Sequence, residues 1–388
     1  MLKIVTPALQ ELHQAFRRHN RDIRLVGGAV RALLLDEQPA DIDLCTDADP
    51  DEQQAVYETA DIKHFPTGIK HGTWTVVLSD RTVVEITSLR TETDHDGRHA
   101  TVQWTRDWHE DLSRRDLTIN AIAMAFDGTL IDPFNGQADL MQGIVRFVGD
   151  PTQRIHEDYL RILRFFRFHA RIAGDRPYDA PTLVAIMDHM AGLIGIARER
   201  VWSEIAKVLV GRYGVLTLNN MIDHGIAPFI DLPVKDTAWL RPDEFQAVRD
   251  PAALMAAYLG TREAVQAQAT VWRWSTEERE RASFIAEILA NRPLFALAEA
   301  QELAARGAVK QWMAEALRLL GKSDDAEILL RWQTPHFPVF GRDLLAAGLT
   351  ESEEIGRLLR DLRKVWEESG YQLDRHALLA LLPTVRIA

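Results

Sequence analysis

The hydrophobic periodicity of this chain changes character near residue 138, and no single-class fold accommodates both parts. Before that point short β-rich runs are separated by Gly, Asp and Pro: Ile23-Arg-Leu-Val26, Asp41-Ile-Asp-Leu44, Thr73-Trp-Thr-Val-Val-Leu78 and Thr82-Val-Val-Glu-Ile-Thr87. With helical stretches such as Val30 to Leu35 between them, these runs predict an α/β or α+β sheet domain over about 1–137. Beyond it, helical spacing dominates Asp158 to Ile172, Arg198 to Leu209, Pro251 to Tyr258, Thr276 to Leu289 and Leu294 to Leu320. Pro233, Pro242 and Pro251 mark one break within the helical part, and Pro335 to Gly341 another. The sequence has no internal repeat and no low-complexity stretch.

Charge narrows the range of partners. The chain carries 45 Lys and Arg against 57 Asp and Glu, a formal charge of −12, which is the wrong sign for a protein that coats nucleic acid non-specifically. Any nucleic-acid site is therefore local. The single cysteine, Cys45, excludes an internal disulfide and a multi-cysteine zinc site, fits a reducing compartment, and reads as a small apolar filler. The N-terminus lacks a basic segment followed by a long apolar one, and no run of about 18 uncharged apolar residues occurs. The expected compartment is the cytoplasm.

The chemistry concentrates before residue 172. In Leu25-Val-Gly-Gly-Ala-Val-Arg-Ala-Leu-Leu-Leu35 a strand runs into two glycines and then a helix. Such a turn presents backbone N–H groups and a helix N-terminus to a phosphate, with Gly27 and Gly28 permitting close approach and Arg31 adding charge one turn in. A tight strand-to-helix turn with no ligand has the same appearance, and neither a P-loop lysine nor a third glycine follows. The Ala40-Asp-Ile-Asp-Leu44 run sharpens the reading, because alternate strand residues share a face and so place Asp41 beside Asp43. A carboxylate pair facing a phosphate cradle suits phosphoryl or nucleotidyl transfer with two Mg²⁺ ions, one activating a hydroxyl and the other holding the triphosphate. Glu85, on the otherwise apolar run Val83-Val-Glu-Ile-Thr87, is the candidate third carboxylate, as metal ligand or base.

Two further segments fit this chemistry. Between Arg90 and His109 the sequence turns polar, with Asp94, His95, Asp96, Gly97, Arg98 and His99, and reads as a mobile loop of the kind that closes over a nucleotide. It is followed by Asp111-Leu-Ser-Arg-Arg-Asp-Leu-Thr-Ile-Asn-Ala121, where Arg114 and Arg115 offer forks for phosphate, and Asp116 and Asn120 a carboxylate and an amide for ribose hydroxyls. In His156 to Phe168, read as one helix, Asp158 and Arg161 are three apart and share a face. Such a pair can hydrogen-bond the Watson–Crick edge of a base, although Glu157 to Arg161 and Asp158 to Arg161 are equally ordinary helix ion pairs. Arg161, Arg164, Arg167 and Arg171 form a basic stripe suited to a phosphate backbone.

The order of these motifs resembles that of the class II tRNA nucleotidyltransferases, the CCA-adding enzymes, which share their fold with bacterial poly(A) polymerases in the DNA polymerase beta-like superfamily. The resemblance spans about residues 23 to 210. It implies a nucleotidyltransferase head at 1–137, a neck at 138–210 that selects the base, and a helical body and tail at 211–388 that bind tRNA. It further implies that Gly27, Gly28 and Arg31 take the triphosphate and that Asp41 and Asp43 bind metal. Arg114, Arg115, Asp116 and Asn120 would contact phosphate and ribose. Asp132 to Asp139 would be a head–neck hinge, and Glu157, Asp158 and Arg161 would select the base, with Arg164 and Arg167 lining the same pocket. Arg198 to Glu204 would support that helix, and Phe337 to Leu345 with Ile355 to Leu359 resembles a tail that grips tRNA. The family pattern is broken at Ala32, usually acidic, and at Asn135, where glycine is common. CTP and ATP would be substrates, tRNA the partner, and Mg²⁺ the cofactor.

The full length of the 91–108 loop favours addition of CMP, CMP and AMP over a CC-only specialist, whose loop is shorter in this family. A poly(A) polymerase is disfavoured by the tail, because residues 350–388 hold six Lys or Arg against seven Asp or Glu, where known members tend to be basic. An inactive tRNA-binding protein would have no need of both the metal carboxylates and the base-reading pair. No His-Asp dipeptide occurs between 206 and 388, so no metal-dependent phosphohydrolase module of the HD type is expected there.

Overall fold

The computed structural model describes residues 4–39, 41–93, 101–235, 242–291, 294–349 and 352–382. The chain divides into two compact units, Met1–Leu240 with Ala267–Ser275, and Arg241–Gln266 with Thr276–Ala388. The main division thus falls between Pro233 and Pro251, within the proline-marked break.

Among its described residues the first unit contains nine strands: β1 (Ile23–Val26), β2 (Asp43–Thr46), β3 (Lys63–Gly68), β4 (Thr73–Val77), β5 (Val83–Ser88), β6 (Arg90–Thr93), β7 (Thr101–Trp104), β8 (Ala123–Met124) and β9 (Leu130–Ile131). Seven form one mixed sheet in the order β3-β4-β5-β2-β1-β8-β9, in which β2 and β5 are parallel; β6 and β7 form a separate ribbon. The β2–β5 register pairs Asp43 with Glu85, Leu44 with Ile86 and Cys45 with Thr87. Because successive side chains alternate between faces, Leu44 and Ile86 point one way and Asp43 and Glu85 the other. The Leu44 face is covered by the helices Pro7–Arg18 and Pro50–Thr59, whose Leu9, Leu12, Phe16, Val56 and Tyr57 share its core. Burying each such side chain contributes roughly 1.5–3 kcal/mol. The opposite face is left with room for a ligand, and its two carboxylates are exposed.

Three boundaries differ from the sequence-based expectation. The second strand starts at Asp43, so Asp41 lies in a bend ahead of it and does not share a strand face with Asp43. The cause is tertiary, since pairing with β5 begins at Asp43 and pairing with β1 spans only Leu44 to Thr46. The segment read as one helix from His156 is two helices, Pro151–Glu157 and Leu160–Ile172. Between them Asp158 is extended (φ −157°, ψ 109°), and its carboxylate accepts the Leu160 N–H at 3.0 Å, the local side-chain bond by which Asp interrupts a helix. Leu294 to Leu320 likewise contains two helices, Leu297–Ala305 and Lys310–Leu319, with Gly307 at φ +101° between them. In the second unit a separate apolar cluster forms around Val339, Leu344, Leu358, Leu362 and Trp366, following the predicted 335–341 break. Trp272 and Trp274 are buried core residues beside Trp202; Trp239 lies outside the described residues. No helix among them is long and apolar enough to cross a membrane.

The segment Asp132 to Asp139 is tightly tied. The Asp132 carboxylate accepts the N–H groups of Gly136 at 2.7 Å and Gln137 at 2.9 Å, and the Asp139 carboxylate takes the Thr118 hydroxyl at 2.6 Å and the Arg146 guanidinium at 2.7 Å. Asn135 sits in the left-handed region (φ +56°), a conformation asparagine and glycine tolerate best, so this departure from the family pattern keeps a residue suited to the turn. At Gly136 an added Cβ would collide with the Thr118 carbonyl. Gly136→Ala is therefore expected to destabilise the first unit by about 1–3 kcal/mol, read as a lower denaturation midpoint, whereas Asn135→Gly is expected to be tolerated.

Candidate active site

The open sheet face borders a cavity of about 740 Å³. β1 delivers the chain into it at Gly27, whose φ of +58° leads directly into the Gly27–Leu34 helix. The absent side chain at Gly27 leaves room for the Arg115 guanidinium, whose Nη1 would lie 3.3 Å from a Cβ there. Arg31, 7 % exposed, follows one turn later and donates to the Asn120 amide oxygen. Burial, reinforced by the like charges of Arg171 and Arg167, lowers its pKa to about 10.

Asp43 and Glu85 line the same cavity side by side, and both also line an adjoining one with Asp41. Partial burial, followed by the charges of Glu85 and Asp41, pushes the Asp43 carboxyl above its ordinary range against the pull of Arg115. Among the described residues no group of three or more His, Cys, Asp or Glu could by itself hold a metal ion. The donor set is nevertheless suited to Mg²⁺, which takes hard oxygen ligands and is commonly held by one or two carboxylates with phosphate oxygens and water completing its shell. The mutual repulsion on Asp43 is what a bound cation would relieve.

Arg114 and Arg115 are held by one buried carboxylate that the sequence reading overlooked. Asp111 is fully buried and receives Arg114 Nη2 at 2.6 Å, Arg115 Nη2 at 3.2 Å and the Arg90 N–H at 3.3 Å. The two guanidinium charges overcome the opposing effect of burial and hold Asp111 below the ordinary carboxylate range. Its spacing of three and four residues from Arg114 and Arg115 was the available signal. Cys45 lies beneath Arg115, 3.5 Å from its Nη2. Burial, then Asp111, pushes its thiol to about 11, consistent with an inert filler.

The expected ribose-binding pair is engaged within the protein. Asp116 accepts Arg164 Nε at 2.6 Å and the Asn120 amide at 3.0 Å, while the Asn120 oxygen accepts Arg31. Burial opposes the charge on Asp116, but Arg164 outweighs it and keeps the carboxyl below its usual range.

Asp158 and Arg161 both line the cavity but do not occupy one helix face, and although the Arg161 N–H donates to the Asp158 carbonyl at 2.9 Å their side chains have separate partners. Asp158 pairs with Arg200 at 2.9 Å, and Arg161 is braced by the Glu157 carboxylate and the carbonyls of Arg154 (3.1 Å) and Arg114 (3.3 Å). The basic stripe is largely compensated: Arg164 pairs with Asp116, Arg167 with Glu204 at 3.0 Å, and Arg171 with Glu37. Arg200 and Glu204 therefore tie the Arg198–Leu209 helix to Asp158 and to the Leu160–Ile172 helix. The expected loop residues Asp94 to His99 lie outside the described residues; the flanks of that stretch pair as β6 and β7 rather than forming an open loop, with Arg90 opposite Trp104 and Thr93 opposite Thr101.

Residues 23–146 match the family described as the Poly A polymerase head domain. The chain is 37 % identical over 398 residues to CCA tRNA nucleotidyltransferase 1, mitochondrial, of Mus musculus, covering 98 % of this chain and 90 % of that protein. It is 31 % identical over 390 residues to the CCA-adding enzyme of Levilactobacillus brevis, covering 93 % and 92 %. Its structure is similar to the crystal structure of the Bacillus stearothermophilus CCA-adding enzyme in complex with CTP, with a TM-score of 0.76, 26 % identity and 94 % of each chain covered. The motif order, the mixed-sheet unit with its following helices, and identity along nearly the whole length agree: the chain belongs to the CCA tRNA nucleotidyltransferases, the CCA-adding enzymes.

Proposed function

We propose that this protein adds CMP, CMP and AMP in turn to the 3′ end of tRNA without a nucleic-acid template, releasing pyrophosphate at each step. The observation that carries the reading is the in-register pair Asp43 and Glu85 in one cavity with the Gly27 turn and the Asp111-held arginines. The mouse and Levilactobacillus brevis relatives carry this activity in their names, and the Bacillus stearothermophilus structure contains CTP.

In the proposed reaction the terminal ribose oxygen of tRNA forms a bond to the α-phosphorus of CTP or ATP, its proton is lost, and the bond to the β-phosphate oxygen breaks. Asp41 and Asp43, with Glu85 as third ligand or base, would hold Mg²⁺, whose chemistry is to lower the pKa of the attacking hydroxyl and to neutralise the leaving pyrophosphate. Gly27, Gly28 and Arg31 cradle the triphosphate. Arg114 and Arg115 add forked donors whose orientation Asp111 fixes, so the positive charge is in place before the transition state develops. Asp116 and Asn120 orient Arg164 and Arg31 and stand at the ribose.

Asp158, at the break between two helices, and Arg161, on the second of them, read the base, each restrained by a separate partner, with Arg164 and Arg167 along the same wall. Arg161→Ala is expected to change CTP-over-ATP selectivity by about tenfold or more, since a bidentate base contact is worth roughly 1–3 kcal/mol, with a smaller effect on phosphate affinity. Unchanged selectivity in competition assays would reduce Arg161 to a partner of Glu157. The head at 1–137, neck at 138–210, and tRNA-binding body and tail at 211–388 complete the proposal.

We place the protein in the cytoplasm on its single cysteine; the mouse relative is named mitochondrial, and subcellular fractionation distinguishes the two. The activity is tested by labelled CMP transfer to tRNA lacking its 3′ CCA: incorporation in Mg²⁺ that stops on chelation supports the proposal, and none in Mg²⁺ contradicts it.

A further inference from the structure

We propose that Phe168 is a positioning residue for the triphosphate, its ring gathering Arg31, Arg164 and Arg167 about it so that Arg31 stays available to an anion. The inference rests on the nucleotide-transfer reading. Phe168 lies on the Leu160–Ile172 helix, is 4 % exposed, and lines the cavity. Its ring centroid is 4.6 Å from Arg31 Cζ, 4.3 Å from Arg167 Cζ and 5.9 Å from Arg164 Cζ. Three guanidinium groups thus gather about one ring.

Their compensation is unequal. Arg164 has Asp116 and Arg167 has Glu204. Arg31 is bonded to the neutral Asn120 amide, and its buried Nε has no hydrogen-bond partner. A second carboxylate beside Arg31 would neutralise it and compete with a phosphate for its donors. An aromatic face attracts cations through its quadrupole while accepting none of their in-plane N–H donors. It can therefore hold like charges close together and leave those donors for a ligand. Leucine would fill much of the space without that attraction, so Arg31 and Arg167 would separate and lose their common aim.

The test uses Phe168→Leu, Phe168→Met as a bulkier ringless variant, and Phe168→Tyr to restore the ring. The probe is inorganic tripolyphosphate, bound to the full chain and followed by calorimetry, alongside steady-state kinetics with CTP and ATP. The expected result is about tenfold weaker tripolyphosphate binding in the ringless variants, KM raised to a similar degree for both nucleotides, kcat within about twofold, unchanged CTP/ATP selectivity, and recovery in Phe168→Tyr. If Phe168→Leu does not fold, Phe168→Met carries the comparison. Tripolyphosphate affinity unchanged in the folded ringless variants, or a loss confined to kcat, or no recovery with tyrosine, would overturn the assignment. Because tripolyphosphate binding requires no turnover, an assignment that fails there is distinguishable from failure of the wild-type protein to extend tRNA.

Discussion

Asp43→Ala is expected to reduce incorporation of both CMP and AMP by about 10³-fold or more, with tRNA affinity nearly unchanged. Metal-assisted charge stabilisation contributes several kcal/mol to a transition state, and each 1.4 kcal/mol is tenfold in rate. Asp43 is the residue on which that effect should concentrate. It is paired in register with Glu85, lines the cavity containing the Gly27 turn, and carries a pKa raised by partial burial and by the neighbouring carboxylates. The loss should be common to both nucleotides, because in the proposed reaction Asp43 acts on the phosphates that CTP and ATP share and not on the base. Asp41→Ala should act in the same direction. Normal turnover in that variant would leave Asp43 and Glu85 as the metal pair.

Asp111→Ala is expected to destabilise the first unit by about 3 kcal/mol and to weaken nucleotide binding as well. Removing one member of a buried charge network costs about 3–5 kcal/mol, because the remaining charges lose their compensation. Here the lower end applies, since Arg114 and Arg115 are part-buried and border an open cavity. The effect has a distinct pH signature. The folded-state pKa of Asp111 is depressed, so its stabilisation is fully present above the ordinary carboxylate pKa near 3.8 and is lost as pH falls through the folded value. Denaturation midpoints of wild type and variant should therefore differ most near neutral pH and converge in acid below about pH 4. A constant difference across that range would mean that Asp111 acts through packing and not through charge.

The legibility of this protein from its sequence followed the range of the interactions involved. Ile23 to Val26 and Gly27-Gly28 were readable as strand and turn because the relevant forces are local: side-chain alternation, glycine's backbone freedom and the helix start that follows. The positions of the paired carboxylates were only half readable. Alternation put Asp43 on the strand face that lines the cavity, but whether Asp41 belongs to the same ladder depends on where β5 pairs, a partner some forty residues away. The same limit applies to His156 to Phe168. Apolar spacing is continuous across Asp158, and the interruption is carried by a side-chain hydrogen bond and by Arg200 on another helix. Asp111 had a legible spacing to both arginines, yet the same spacing describes an exposed surface pair; complete burial is what distinguishes it. Phe168 had no local signal of its role at all, because the aromatic stripe of a helix is ordinarily core and Arg31 reaches it from a distant segment.

The most direct measurement is the length of the products formed on a tRNA lacking its last three nucleotides, incubated in Mg²⁺ with CTP alone, ATP alone or both. The expected result is two additions with CTP alone and a third only when ATP is also present. A stop at two additions with both nucleotides would contradict full CCA synthesis, and a long ladder with ATP alone would contradict the assignment in favour of a poly(A) polymerase.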